Sequence, residues 1–159
     1  MIRNIHRRIL PCAKEEAAYL IDGLAGPEEA LWPVGDWPRM RLSAGLSPGS
    51  HGGHGPIGYF VENYRPGLEV QFRFTAPRGF KGYHRLRLTD HSQGCLLEHD
   101  LQMRATWLAW LHWQLVLRPL HDALLEDALD RAGGYFGQPP LNRYSFYVRF
   151  LRWLMKATR

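Results

Sequence analysis

The sequence predicts an α+β fold in which a curved antiparallel sheet wraps around one long helix. Three features carry that expectation. Leu68 to Thr75 alternates apolar and polar residues, the period of a half-buried strand. The same alternation returns in Lys81 to Asp90 and Gly94 to Arg104, with a turn at His91-Ser92-Gln93-Gly94. From Thr106 the period changes, and His121, Leu124, Leu125, Ala128, Leu129 and Ala132 recur at helical spacing.

The elements follow in order. Ile2 to Leu10 is a first strand, closed by Pro11. Two short helices come next. Cys12 to Ile21 is rich in helix formers with acidic residues early, and Pro27 to Trp32 carries proline at a first helical position. Arg39 to Ser43 reads as a brief strand. Gly45 to Gly55 offers little to pack, so a mobile loop is expected. Ile57 to Tyr64 is a strand joined to Leu68 to Thr75 through Arg65-Pro66-Gly67. Together with the two later strands it makes a meander with one dry face and one wet face, the latter carrying Glu98, Asp100, Gln102 and Arg104. The helix over 106–132 is expected to kink at Pro119, to pair Asp127 with Arg131, and to stop at Gly133-Gly134. Only that helix is large enough to cover the dry face.

Composition narrows the classes. The chain has 159 residues, enough for a single domain with its own core, and 45% hydrophobic content excludes a disordered chain. Cys12 and Cys95 are the only cysteines and form no zinc-type pair; one bridge between them stays open. The charge of +5 is spread among 15 acidic residues, which fits a solvated surface; no specific nucleic-acid partner is expected. The first residues lack the apolar core of a signal peptide. The apolar stretch 105–117 is shorter than the roughly 20 residues of a spanning helix. A cytoplasmic protein is expected.

The segment Gly58-Tyr59-Phe60-Val61-Glu62-Asn63-Tyr64-Arg65-Pro66-Gly67-Leu68-Glu69-Val70-Gln71-Phe72-Arg73-Phe74 and the segment Leu117-Arg118-Pro119-Leu120-His121-Asp122-Ala123-Leu124-Leu125-Glu126-Asp127-Ala128-Leu129 resemble the START-like (SRPBCC) superfamily, which includes polyketide cyclase/dehydrase-like and lipid-transport proteins. The resemblance covers roughly residues 1–132. It implies a helix-grip fold, with lipids, sterols, polyketides or hormones bound between sheet and helix. It implies no particular reaction, because the superfamily has no shared catalytic signature. Residues 133–159 lie beyond the usual end of that domain and form a C-terminal extension.

Candidate sites follow from face and phase. Phe72, Phe74, Leu86, Leu88, Leu97, Leu101 and Met103 on the strands face Trp110, Trp113 and Leu117 on the helix, either as a solid core or around a ligand. His99 lies on the dry face between Leu97 and Leu101, and His84 shares that interior. Each is a contact for a ligand's polar end or a core histidine bonded to a neighbour. His51 and His54 sit in a glycine loop without further ligands, so no metal and no cofactor is expected. In the tail, Asn142, Ser145, Arg149, Arg152, Lys156 and Arg159 share one helical face, and Tyr147, Phe150, Leu151 and Leu154 the other, with Phe146 and Trp153 at the border. Such a helix packs on its own domain, pairs with a second copy, or lies on an anionic membrane. The leading expectation is binding of a hydrophobic small molecule. A polyketide cyclase/dehydrase-type enzyme and a peripheral membrane or interaction module are the alternatives.

Overall fold

A computed structural model describes residues 1–157. Its elements are β1 (Ile2–Leu10), α1 (Lys14–Ala17), α2 (Tyr19–Asp22), β2 (Arg41–Leu46), β3 (His51–His54), β4 (Ile57–Arg65), β5 (Glu69–Ala76), β6 (Phe80–His91), β7 (Gly94–Ala105), α3 (Trp107–His112), a π-helical turn (Trp113–Leu117), α4 (Arg118–Tyr135) and α5 (Phe146–Ala157). The seven strands form one antiparallel sheet in the order β1-β7-β6-β5-β4-β3-β2. This is a helix-grip fold: the sheet curves around the helical run from Trp107 to Tyr135, and the core lies between them. Two register shifts in β4, at Gly58/Tyr59 and Val61/Asn63, add twist where the sheet bends.

Several local expectations are corrected. The Gly45 to Gly55 segment is ordered, since β2 reaches Leu46 and β3 pairs with both β2 and β4. The glycines are what admit it: a Cβ on Gly52 would lie 1.9 Å from the Arg41 carbonyl oxygen. Cys12 to Ile21 divides into α1 and α2, and Pro27 to Trp32 is a turn rather than a helix. The Glu29 carboxylate there accepts the backbone N–H groups of Ala25, Leu31 and Trp32, so a side chain takes over the bonds a helix would make.

The long helix departs from α geometry one turn before the expected kink. Pro119 stands in the first turn of α4, where its missing N–H matters least, and the π turn precedes it. The Leu115 carbonyl, four residues before the proline, accepts the Tyr147 hydroxyl from α5 instead. The helix runs through Gly133-Gly134 to Tyr135, and Gly137, at φ 74°, follows its end. Asp127 does not pair with Arg131. Its carboxylate receives Trp37, Asn142 and Tyr144, while Arg131 donates to the Ala30 carbonyl.

These bonds bring the tail back to the fold. Arg152, on the basic face of the tail helix, lies 4.7 Å from the Trp37 ring and 4.2 Å from the Tyr144 ring, with Asp36 at 3.2 Å. Arg159 lies outside the described residues.

A polar seam joins β1 to α4. Asn4 donates to Asp122 (2.9 Å), His6 sits between Asp122 (3.2 Å) and Glu126 (2.6 Å), and Arg8 donates to Asp130 (2.6 Å). The opposite face of β1 looks outward, and there Arg7 and Arg87 close over Glu98 (2.5 and 2.8 Å) while Arg85 reaches Asp100 (3.2 Å). Glu98 and Asp100 point away from the core yet are buried, because arginines cover them.

Burial pushes the Glu98 carboxyl up, but the bonds from Arg7 and Arg87 outweigh it and hold its pKa below the ordinary value. The stability it contributes is therefore complete above the unfolded carboxylate pKa and is lost as pH falls through the folded one. Glu98→Gln is expected to cost about 1–3 kcal/mol at pH 7, with a smaller penalty near pH 3. Urea unfolding at the two pH values checks this, and an equal penalty at both would remove the ion pairs as its cause.

Candidate functional site

Between sheet and helices lies an apolar cavity of about 520 Å³. Ile57, Phe74, His84, Leu86, His99 and Leu101 form its sheet wall. Trp113, Leu117, Leu120, His121 and Leu124 form its helix wall. Trp32, Trp37, Met40 and His54 close one end, and Leu151, Leu154 and Met155 of α5 complete it. Alternation explains the sheet wall: β6 and β7 pair His84 with Leu101 and Leu86 with His99, so the inward residues of adjacent strands come side by side.

Of the residues expected at the cavity, Phe74, His84, Leu86, His99, Leu101, Trp113 and Leu117 line it. The rest need correction. Leu88 and Leu97 are buried in the main core away from it, and Met103 packs in the smaller cluster with Phe80. Phe72 lies behind His84, which stacks on it at 5.0 Å between ring centroids. Trp110 is off the cavity and stacks on Trp107 at the surface, while Trp113 is buried. The sequence places His54 in a glycine loop. Instead it faces the cavity, with Nδ1 2.9 Å from the Tyr59 hydroxyl and its ring against Trp32. Only the recognition of β3 as a strand placed beside β4 would have shown this.

The polar groups of the cavity are histidines. His99 Nε2 and His84 Nδ1 are 3.3 Å apart, so one donates and the other accepts. The remaining atoms, His84 Nε2 and His99 Nδ1, have no protein partner and are shielded from water. Burial holds both rings well below the ordinary histidine pKa, so both are neutral. In either tautomeric arrangement the pair presents one N–H donor and one lone-pair acceptor, and a joint shift of both protons exchanges those roles. His54 is likewise neutral, lowered by burial to about 3.

Around the cavity α3 and α5 expose apolar side chains. Trp107 is 70% exposed and Leu108 75%, with Leu111 and Leu115 partly so; across from them stand Phe146 (86%), Phe150 and Trp153 (63%). The Tyr147 to Leu115 bond ties the two stretches together. No helix among the described residues is long and apolar enough to cross a membrane.

No protein-family model and no curated protein sequence matches the chain. Solved structures do share its fold. CalU16 from Micromonospora echinospora superposes with a TM-score of 0.61 at 16% identity, over 98% of this chain and 86% of that one. XoxI from Bacillus cereus gives 0.62 at 12% identity, over 86% of this chain and 96% of that one. DynU16, from the dynemicin biosynthetic locus, gives 0.58 at 16%, over 88% of this chain but 49% of its own length. At these identities the likeness is one of fold.

The buried neutral histidines make the fold sensitive to acid. Unfolded, His54 takes up a proton near 6.5; folded, only near 3. The stability this gives is complete above the unfolded value and falls by up to about 1.4 kcal/mol per pH unit below it. In His54→Phe the fall in unfolding free energy between pH 6 and pH 4 should be shallower by about that slope. Curves running parallel to the wild type would show that His54 is protonated freely in the folded state.

Proposed function

We propose that the protein binds a hydrophobic small molecule in the cavity between sheet and helix, held at one end by a neutral hydrogen-bonding group. The unpartnered atoms of the His84–His99 pair carry this reading. Two buried imidazole nitrogens without partners cost stability, and a hydroxyl, phenol, enol or carbonyl on a ligand relieves that cost. A carboxylate suits the site less, since neither ring is charged. The volume falls within the range of small-molecule sites, and the walls are predominantly apolar, as such sites are. A fold shared with a protein from the dynemicin biosynthetic locus is in keeping with a polycyclic or polyketide-sized ligand.

The experiment is native mass spectrometry of the purified protein with aromatic phenols, sterols and fatty acids, alone and in competition. Phenols and sterols should bind at one per chain, ahead of fatty acids. Removing both imidazoles in His84→Leu/His99→Leu should abolish the preference for hydroxylated ligands while leaving the apolar contribution. An absence of any bound species would end the reading. A preference unchanged in the double variant would reassign the polar contact.

A second reading is supported by the surface beside the cavity. α3, the π turn and α5 expose Trp and Phe next to cations, and no Asp or Glu occurs in 101–121 or 131–159. That pairing of aromatic and basic groups suits an anionic bilayer surface. Flotation with phosphatidylserine vesicles should recover the wild-type chain, and recovery should drop in Trp107→Ser/Trp153→Ser. Equal recovery of both would exclude these helices as the contact.

A further inference from the structure

We propose that His6, His121 and Asp122 form a site for a divalent transition-metal ion at the edge of the cavity. Three residues with lone-pair donors converge there: His6 Nε2 lies 3.2 Å and His121 Nδ1 3.7 Å from Asp122 Oδ1, and one ligand atom from each residue lies within 4.8 Å of the other two. Ligand atoms bound at roughly 2.1 Å to one tetrahedral ion stand about 3.4 Å apart, so two of the three separations already fit. Among the described residues no other three His, Cys, Asp or Glu side chains come together in this way.

The surroundings match those of a metal ligand set. Glu126 Oε1 is 2.6 Å from His6 Nδ1 and holds the proton on that nitrogen, so it is Nε2, 3.2 Å from Asp122 Oδ1, whose proton an ion displaces to engage the lone pair. A carboxylate behind a ligating imidazole fixes its tautomer and ring direction. Asn4 Nδ2 donates to Asp122 Oδ1 itself at 2.9 Å and orients that carboxylate, whose oxygen keeps a second lone pair for an ion. His121 Nδ1 has no hydrogen-bond partner although it is buried. The other carboxylate oxygens are spoken for: Arg118 lies 3.7 Å from Asp122 Oδ2, and Arg8 3.9 Å from Glu126 Oε2.

A proton on His6 is the rival occupant, since a charged His6 can donate to Asp122 and Glu126 together. It leaves His121 Nδ1 unexplained; an ion engages all three. Two imidazoles and one carboxylate suit zinc, nickel, cobalt or iron(II) rather than calcium or magnesium. Three protein ligands leave a further position for water or another oxygen. His121 is itself a cavity wall, which places the ion beside whatever the cavity holds. The site does not depend on the ligand reading, because the probe is the metal alone.

The test titrates chelator-stripped protein with Zn²⁺ and Co²⁺ by calorimetry, with the Co²⁺ absorption spectrum as a second readout. One equivalent should bind, and bound Co²⁺ should show ligand-field bands of low coordination number. His121→Ala and Asp122→Asn should abolish both signals, and Glu126→Gln should weaken binding by about 10–100-fold. His91→Ala, at a distant turn, should change nothing. Circular dichroism establishes that each variant is folded, and His6→Gln provides a second ligand variant if one fails. No saturable binding to the wild type, or binding that survives in folded His121→Ala and His6→Gln, overturns the proposal.

Discussion

The fold depends on how β1 grips α4. Every second residue of a strand faces one side, and two residues advance about 6.8 Å. Every fourth residue of a helix faces nearly the same side, and four residues advance about 6.0 Å. The two steps agree well enough for three rungs, and the chain uses three: Asn4, His6 and Arg8 against Asp122, Glu126 and Asp130. The seam is polar, whereas the next layer inward is apolar, with Leu10, Leu124, Ala128 and Leu129 buried. Polar rungs specify which turn of helix meets which strand residue; the apolar layer supplies most of the driving force but little of that register. Because His121 and Asp122 begin the seam, the same register aims His121 into the cavity and Asp122 towards His6.

Asp127 and Asp130 extend this order to the tail. Asp130 accepts the backbone N–H groups of Leu141 and Asn142 while holding Arg8, and Asp127 gathers Trp37, Asn142 and Tyr144. The acidic residues that a helical wheel assigns to a wet face thus serve as anchors for two chain segments. Burial raises the Asp130 pKa, but its backbone bonds and Arg8 outweigh that and lower it. Its charge is what holds both partners.

What was legible in the sequence was whatever repeats along the chain. Alternation placed β5, β6 and β7 within a residue or two, the turn residues Pro11 and Arg65-Pro66-Gly67 bounded β1 and β4, and the change of period at Thr106 located the covering helix. Turn chemistry fared less well. β3 is hidden because His51-Gly52-Gly53-His54 has no apolar alternation, and its glycines serve a backbone approach that only the fold reveals. The turn at Pro27 to Trp32 has helix formers, yet the Glu29 side chain supplies bonds that propensity does not count. Sites made across long separations were beyond reach. His6 and His121 each look unremarkable alone, and only the packing of β1 on α4 makes them neighbours. Trp110 and Trp113 are three residues apart and would share a face in a regular helix, yet Trp110 is exposed while Trp113 is buried, a difference that periodicity does not give.

Part of the cavity wall is borrowed from the end of the chain. Leu151, Leu154 and Met155 fill positions that neither the sheet nor α4 reaches. Among their helix's contacts with the rest are the Tyr147 bond to the Leu115 carbonyl and Arg152 against Trp37 and Asp36. The size of the chamber can therefore be retuned by exchanging a few aliphatic groups on one peripheral segment, leaving the strand pairing and the imidazole pair untouched. Under the proposed function, selectivity for a ligand's length or girth and recognition of its polar end would rest on different segments of the chain, open to change independently of each other.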